Sequence, residues 1–181
     1  MRSLLEIVTD LHAQADVLRA RRHGVIEIQR GRLVRVLLRP WPKLVSLPEI
    51  LFFGERLHTW RSGDRLRLFY DQPRRFPNFL SVKYAISARG TTLASIRGAL
   101  AVLDEIARIK ASDALLCDVF NYRISRRALN RWGWVAHKPS WLHRHYIKRF
   151  YGQYPPPLVR SELLKARDSD APAPLAAAVV R

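Results

Sequence analysis

Phe79 to Val119 reads FLSVKYAISARGTTLASIRGALAVLDEIARIKASDALLCDV, a run that sets out strand, turn, long helix and second strand without interruption. Val82, Tyr84 and Ile86 recur at period two, which predicts a strand over Phe79 to Ala88. Arg89-Gly90 is a turn, and Thr91 or Thr92 can cap the helix that follows. Leu93, Ile96, Leu100, Leu103 and Ile106 form the expected buried stripe of that helix, which ends near Lys110. Arg97 is expected to point outward and Gly98 to permit close packing. Asp113 then opens a strand over Ala114 to Val119, apolar on successive residues as a strand covered on both faces requires. Within it Cys117 reads as a small buried hydrophobe.

Downstream, Ile124 to Trp132 predicts a short helix stopped by Gly133, a residue suited to the left-handed position after a helix. Two further strands fit Trp134 to His137 and His143 to Phe150. Pro155-Pro156-Pro157 favours an extended segment, and residues 161–181 read as a disordered tail behind a single domain spanning 1–160. Upstream, a strand over Arg65 to Tyr70 follows the turn Ser62-Gly63-Asp64, and the loop Asp71 to Asn78 exposes Arg74 and Arg75. Val25 to Ile28 and Leu33 to Leu38 pair as a hairpin through Gln29 to Arg32, with Gly31 in the turn. Ser3 and Glu6 have capping-box spacing, and Leu4, Ile7, Val8, Leu11, Ala15 and Leu18 predict one amphipathic helix to about Ala20. A short helix is also expected within Pro48 to Trp60.

Charge is the unusual quantity. Thirty-two Lys and Arg against fifteen Asp and Glu give a net charge of +17, a field that draws in polyanions but does not specify a fold. Nine of the basic residues lie between Asn121 and Arg160, where there is no acidic residue. A lone cysteine excludes an internal disulfide and fits a reducing, cytoplasmic setting. No apolar run approaches the roughly 20 residues of a membrane span, and Glu6 and Asp10 interrupt any secretory-signal pattern.

The order strand, Gly turn, long helix, buried strand, Asn, short helix, Gly-aromatic and two strands resembles the GNAT superfamily of N-acyltransferases over Ser81 to Phe150. Arg89-Gly90-Thr91-Thr92-Leu93-Ala94 stands where that family has an Arg-Gly-x-Gly-Ile-Gly/Ala turn, and Asn121, Ala128 and Trp132-Gly133-Trp134 follow in the family's order. The resemblance implies an α/β (α+β) fold with a GNAT-like mixed, mostly antiparallel central sheet flanked by helices. It also implies an acetyl-CoA or other acyl-CoA co-substrate. Main-chain amides of Arg89, Gly90, Thr91, Thr92, Leu93 and Ala94 would hold its pyrophosphate, as a helix N-terminus does generally, and Asn121 would lie near the pantetheine. No metal is implied.

Departures from the family pattern bear on chemistry. Thr92 replaces a glycine, and the position of the usual tyrosine general acid is Leu129. Tyr122 is the nearest tyrosine in sequence, and the strand over Phe79 to Ala88 holds no carboxylate to deprotonate an amine. No catalytic residue is assigned. Two functions stay open: transfer of an acetyl or acyl group from CoA to an amine, with an anionic acceptor suited to the charge, or nucleic-acid or RNP association on an inactive fold. For the second, Trp132, Trp134, Trp141, Tyr146, Phe150 and Tyr151 interleave with arginines and lysines. His137, His143 and His145, with or without Cys117, match no zinc-ligand spacing and read as strand histidines on a basic surface.

Overall fold

The structure is a computed structural model and describes residues 5–40, 63–119, 125–137 and 144–156. In chain order the elements are β1 (Glu6–Val8), α1 (Ala15–Ala20), β2 (His23–Gln29), β3 (Arg32–Arg39), β4 (Arg65–Asp71) and β5 (Phe79–Ser87). There follow α2 (Leu93–Ile109), β6 (Ala114–Asp118), α3 (Arg126–Arg131), β7 (Val135–Ala136) and β8 (His145–Arg149). The strands form one 8-stranded sheet in the order β1-β3-β2-β4-β5-β6-β8-β7. All neighbours are antiparallel except β5 and β6, which α2 joins as a parallel pair. This is the mixed, mostly antiparallel α/β class expected from the sequence.

The β2–β3 hairpin turns through Arg30 and Gly31, both at positive φ (51° and 73°). That pair of left-handed residues gives the turn a twist matching the strands it joins. Ile26 and Ile28 lie opposite Leu68 and Leu66, so one sheet face is continuous aliphatic surface. Leu18 of α1, Leu103 and Ile106 of α2, and Leu129 of α3 join the same core. The α2 stripe sits differently from the expected one: Leu103 and Ile106 are buried, but Leu93 is exposed, and Ala99 and Val102 complete the buried face. Leu93 is the first helical residue, so its side chain projects from the end of the cylinder instead of onto the sheet. No helix among the described residues is long and apolar enough to cross a membrane.

The single N-terminal helix is corrected. Glu6 to Val8 pair with Leu38 to Val36 as an edge strand, and only Ala15 to Ala20 are helical. The Asp10 carboxylate accepts from the amides of His12 and Ala13, both at 3.0 Å, and so holds a turn between them. The expected helix within Pro48 to Trp60 lies outside the described residues, as does the tail at 161–181.

Polar ties fasten α2 to its surroundings. The Asp104 carboxylate accepts from Lys148 Nζ of β8 at 2.7 Å, and Arg19 Nε donates to the carbonyl of Ile109 at 3.1 Å. Lys110, just past the helix, donates to the carbonyl of Arg21 at 2.7 Å and to Gln72 Oε1 at 3.0 Å. Burial, aided by the nearby charge of Arg22, lowers the Lys110 pKa to about 8. The unfolded chain therefore binds a proton between about pH 8 and the ordinary lysine value of 10.5 that the folded chain does not. Stability referable to Lys110 should rise with pH across that window and be lost on descending through it. Tyr154 and Cys117 act oppositely, since burial raises both. The diagnostic is thus the difference in urea stability between wild type and Lys110→Met, which should grow towards pH 10.5; a flat difference contradicts the burial argument.

Candidate cofactor site at the start of α2

Two features define the site, both following from β5. The strand pairs with β4 from Ser81 to Ser87, with a register shift between Phe69 and Tyr70. Tyr84 lies opposite Phe69 and Val82 opposite Tyr70, so Lys83 is an extra, bulged residue. A bulge flips the alternation beyond it. Val82 shares a face with Tyr70 in the core, whereas Tyr84 stacks on Phe69 of the other face with ring centroids 4.1 Å apart. Period-two spacing correctly marked the strand but could not reveal this change of face.

On the opposite edge, β5 pairs with β6 only from Phe79↔Ala114 to Val82↔Cys117. Pairing stops where the bulge begins. β5 then runs on to Ser87 without β6, while β6, paired on its other edge with β8 from Ala114↔Arg149, ends at Asp118↔His145. The two parallel strands thus part at Val82 and Cys117, and no β6 residue pairs with β5 beyond Val82. A strand edge that runs beyond its partner can receive an extended, amide-bearing ligand as an added strand.

At the end of that edge α2 begins. Gly90 (φ 99°) makes the turn, and Thr91 is buried with its hydroxyl 2.7 Å from the carbonyl of Arg65 and 2.8 Å from that of Ala88. Thr92 is the N-cap, its hydroxyl accepting from the amide of Ser95 at 3.3 Å. Ser95 is itself buried and accepts from the amide of Gly31 at 2.8 Å, which ties the β2–β3 turn to the first turn of the helix.

The start of α2 already faces an anion. Asp64 Oδ1 accepts from the Thr92 amide at 2.8 Å, and Oδ2 accepts from the Thr92 hydroxyl at 2.7 Å. Gly63 N donates to the carbonyl of Arg89 at 3.2 Å, so the segment entering β4 lies directly on the turn. The Leu93 and Ala94 amides have no protein acceptor among the described residues, and Arg89 is exposed beside them. Of the expected anion-binding group, then, Leu93 and Ala94 present open donors, Thr91 is spent on carbonyls, and Thr92 is spent on Asp64. Asn121 and Tyr122 lie outside the described residues. Replacing Asp64 with alanine removes an acceptor and a favourable charge from the helix start, and should cost about 1–2 kcal/mol in urea unfolding.

Other candidates fall into place around the notch. Leu129 is buried on α3 and is part of the apolar core. Burial first, then Asp118, pushes the Cys117 thiol up to about 12, so at neutral pH it is not a nucleophilic thiolate. His145 Nδ1 lies 3.7 Å from Asp118 Oδ2 at the mouth of the notch. Neither residue stood out as a pair in the sequence, because the contact arises from β6–β8 register. Asp64 was equally hidden, being 28 residues from the amide it caps. Trp134, Tyr146 and Phe150 are buried, which removes them from any base-stacking surface, whereas Tyr151 is 77% exposed.

No family model matches the chain, and no curated protein matches its sequence. Among solved structures, the crystal structure of nourseothricin acetyltransferase is similar to it with a TM-score of 0.39 and 12% identity, covering 81% of this chain and 99% of that one. At that score the overlap is coarse, and the reading of the site rests on the geometry of this chain.

Proposed function

We propose that the protein binds an acyl-CoA along the part of β5 that runs beyond its pairing with β6, and transfers its acyl group to an amine. The observation that carries this reading is the coincidence of the Lys83 bulge with the end of β5–β6 pairing, beside a helix N-terminus. The pantetheine amides would pair with the backbone of Ala85 to Ser87, beyond the reach of β6, and the pyrophosphate would approach the Leu93 and Ala94 amides. The amine would attack the thioester carbonyl directly. A C–N bond forms, the C–S bond breaks, and the amine proton ends on the departing CoA sulfur. With Leu129 in the acid position, no side chain is assigned to that proton transfer.

Asp64 opposes the ligand at Thr92, since two anions would share one helix end. Titration calorimetry with acetyl-CoA and longer acyl-CoAs tests the reading. Asp64→Ala should bind about tenfold more tightly than wild type, the equivalent of ~1.4 kcal/mol, despite being less stable. No heat and no thermal shift at millimolar ligand, in both proteins, would sink the function and leave only the fold.

A further inference from the structure

A second charged feature lies at the far end of the sheet from the α2 N-terminus, where β2 begins and β3 and β4 end. It is a cleft of about 450 Å³ whose walls carry Arg21, Arg22, His23, Arg39 and Arg74, with no Phe, Tyr or Trp in its lining among the described residues. Two carboxylates of the described residues are close to it, and both are engaged. Glu6 is held by Arg21 through two contacts, at 2.6 and 3.1 Å. Asp71 Oδ1 lies 2.9 Å from His23 Nδ1, and its Oδ2 lies 3.5 Å from Lys83 Nζ. Arg22, Arg39 and Arg74 are left with no side-chain hydrogen bond or ion pair among the described residues.

The local field is correspondingly positive. His23 is lowered from its ordinary range by burial first; Asp71 opposes that shift, and the charges of Arg22 and Arg74 add to it. Arg22 also contributes to the lowered Lys110. Three arginines brought from the α1–β2 junction, the end of β3 and the β4–β5 loop therefore face one concavity with no ion-pair partner of their own among the described residues.

We propose that this cleft binds a terminal phosphoryl group, as found in a phosphate monoester or pyrophosphate. Arginine suits the ligand because its fork of donors matches phosphate oxygens. A terminal phosphoryl group fits better than a nucleic-acid backbone on two counts. The charges line one concavity instead of a track, and the lining among the described residues offers no Phe, Tyr or Trp platform for successive bases. The inference is independent of acyl-CoA binding, which uses the opposite end of the sheet.

The test is calorimetry of the full chain with inorganic pyrophosphate at fixed ionic strength, alongside a single-stranded oligothymidylate as the phosphodiester probe. Wild type should bind pyrophosphate, and Arg39→Ala and Arg74→Ala should each weaken it about tenfold, the loss of one charge-assisted contact. Arg74 is in an exposed loop, so its variant keeps the fold. Arg97→Ala, an exposed arginine of α2, should leave affinity within about twofold, because a change in net charge alone acts weakly through salt. Four results would overturn the proposal. These are no pyrophosphate binding, equal losses in Arg97→Ala and Arg74→Ala, binding that ignores Arg39 and Arg74 but strengthens in Asp64→Ala, or Arg74-dependent binding of the oligonucleotide alone.

Discussion

Trp134→Ala is expected to remove about 4 kcal/mol of stability, a large share of the 5–15 kcal/mol typical of a domain. The reason begins with a helix ending. The Gly133 amide donates to the carbonyl of Asn130 and the Trp134 amide to that of Leu129, both at 3.0 Å, the paired bonds of a Schellman motif. Gly133 takes φ 82° to close it, a conformation glycine adopts without steric cost. The motif turns the chain back so that the next side chain, Trp134, enters the core at 1% exposure. Truncation there leaves a cavity between α3 and the sheet. Trp134→Phe should cost only about 1 kcal/mol, because it keeps most of the apolar volume. It also removes an indole N–H that is buried without an acceptor among the described residues. Equal losses in the two variants, measured by urea unfolding, would show that packing is not the source.

The second large effect concerns Gly98. A β-carbon placed there would sit 2.7 Å from the carbonyl oxygen of Gly31. Helix propensity favours alanine over glycine by about 1 kcal/mol, whereas overpacking costs about 1–3 kcal/mol. Overpacking should win, because the opposing atom is backbone and its turn is already fastened through the Gly31 amide to Ser95. Gly98→Ala is expected to lose about 1 kcal/mol net and Gly98→Leu about 3 kcal/mol or more. A stabilised alanine variant would mean that helix and hairpin do not approach so closely. The sequence reading of Gly98 as a point of close contact agrees with this geometry; what it could not name was the partner.

That division runs through the molecule. Elements whose signals are local were legible: the hairpin with Gly31 in its turn, the strand at Arg65, the long helix after Thr92, and the Gly133 stop. The N-terminal segment was misread because Ile7 and Val8 also suit helical spacing. Their fate is decided by pairing with Leu37 and Val36, which no local window contains. The Lys83 bulge was invisible for a related reason. Alternation from Val82 to Ile86 looks regular until the register with β4 is known. At the candidate site, the turn Arg89 to Ala94 was visible, but the carboxylate on Thr92 came from Asp64, in the segment entering β4.

The Asp64–Thr92 contact has a further meaning for any ligand of the α2 N-terminus. A side chain attached to the same chain is a tethered competitor, present at an effective concentration in the millimolar range however dilute the protein. An incoming anion that needs the Thr92 amide binds only the fraction of molecules in which Asp64 has swung away, and its apparent affinity falls by that fraction. By reciprocity, such a ligand would loosen the start of β4 as it bound. Occupancy at the helix end and order at the strand end would then be two readings of one equilibrium.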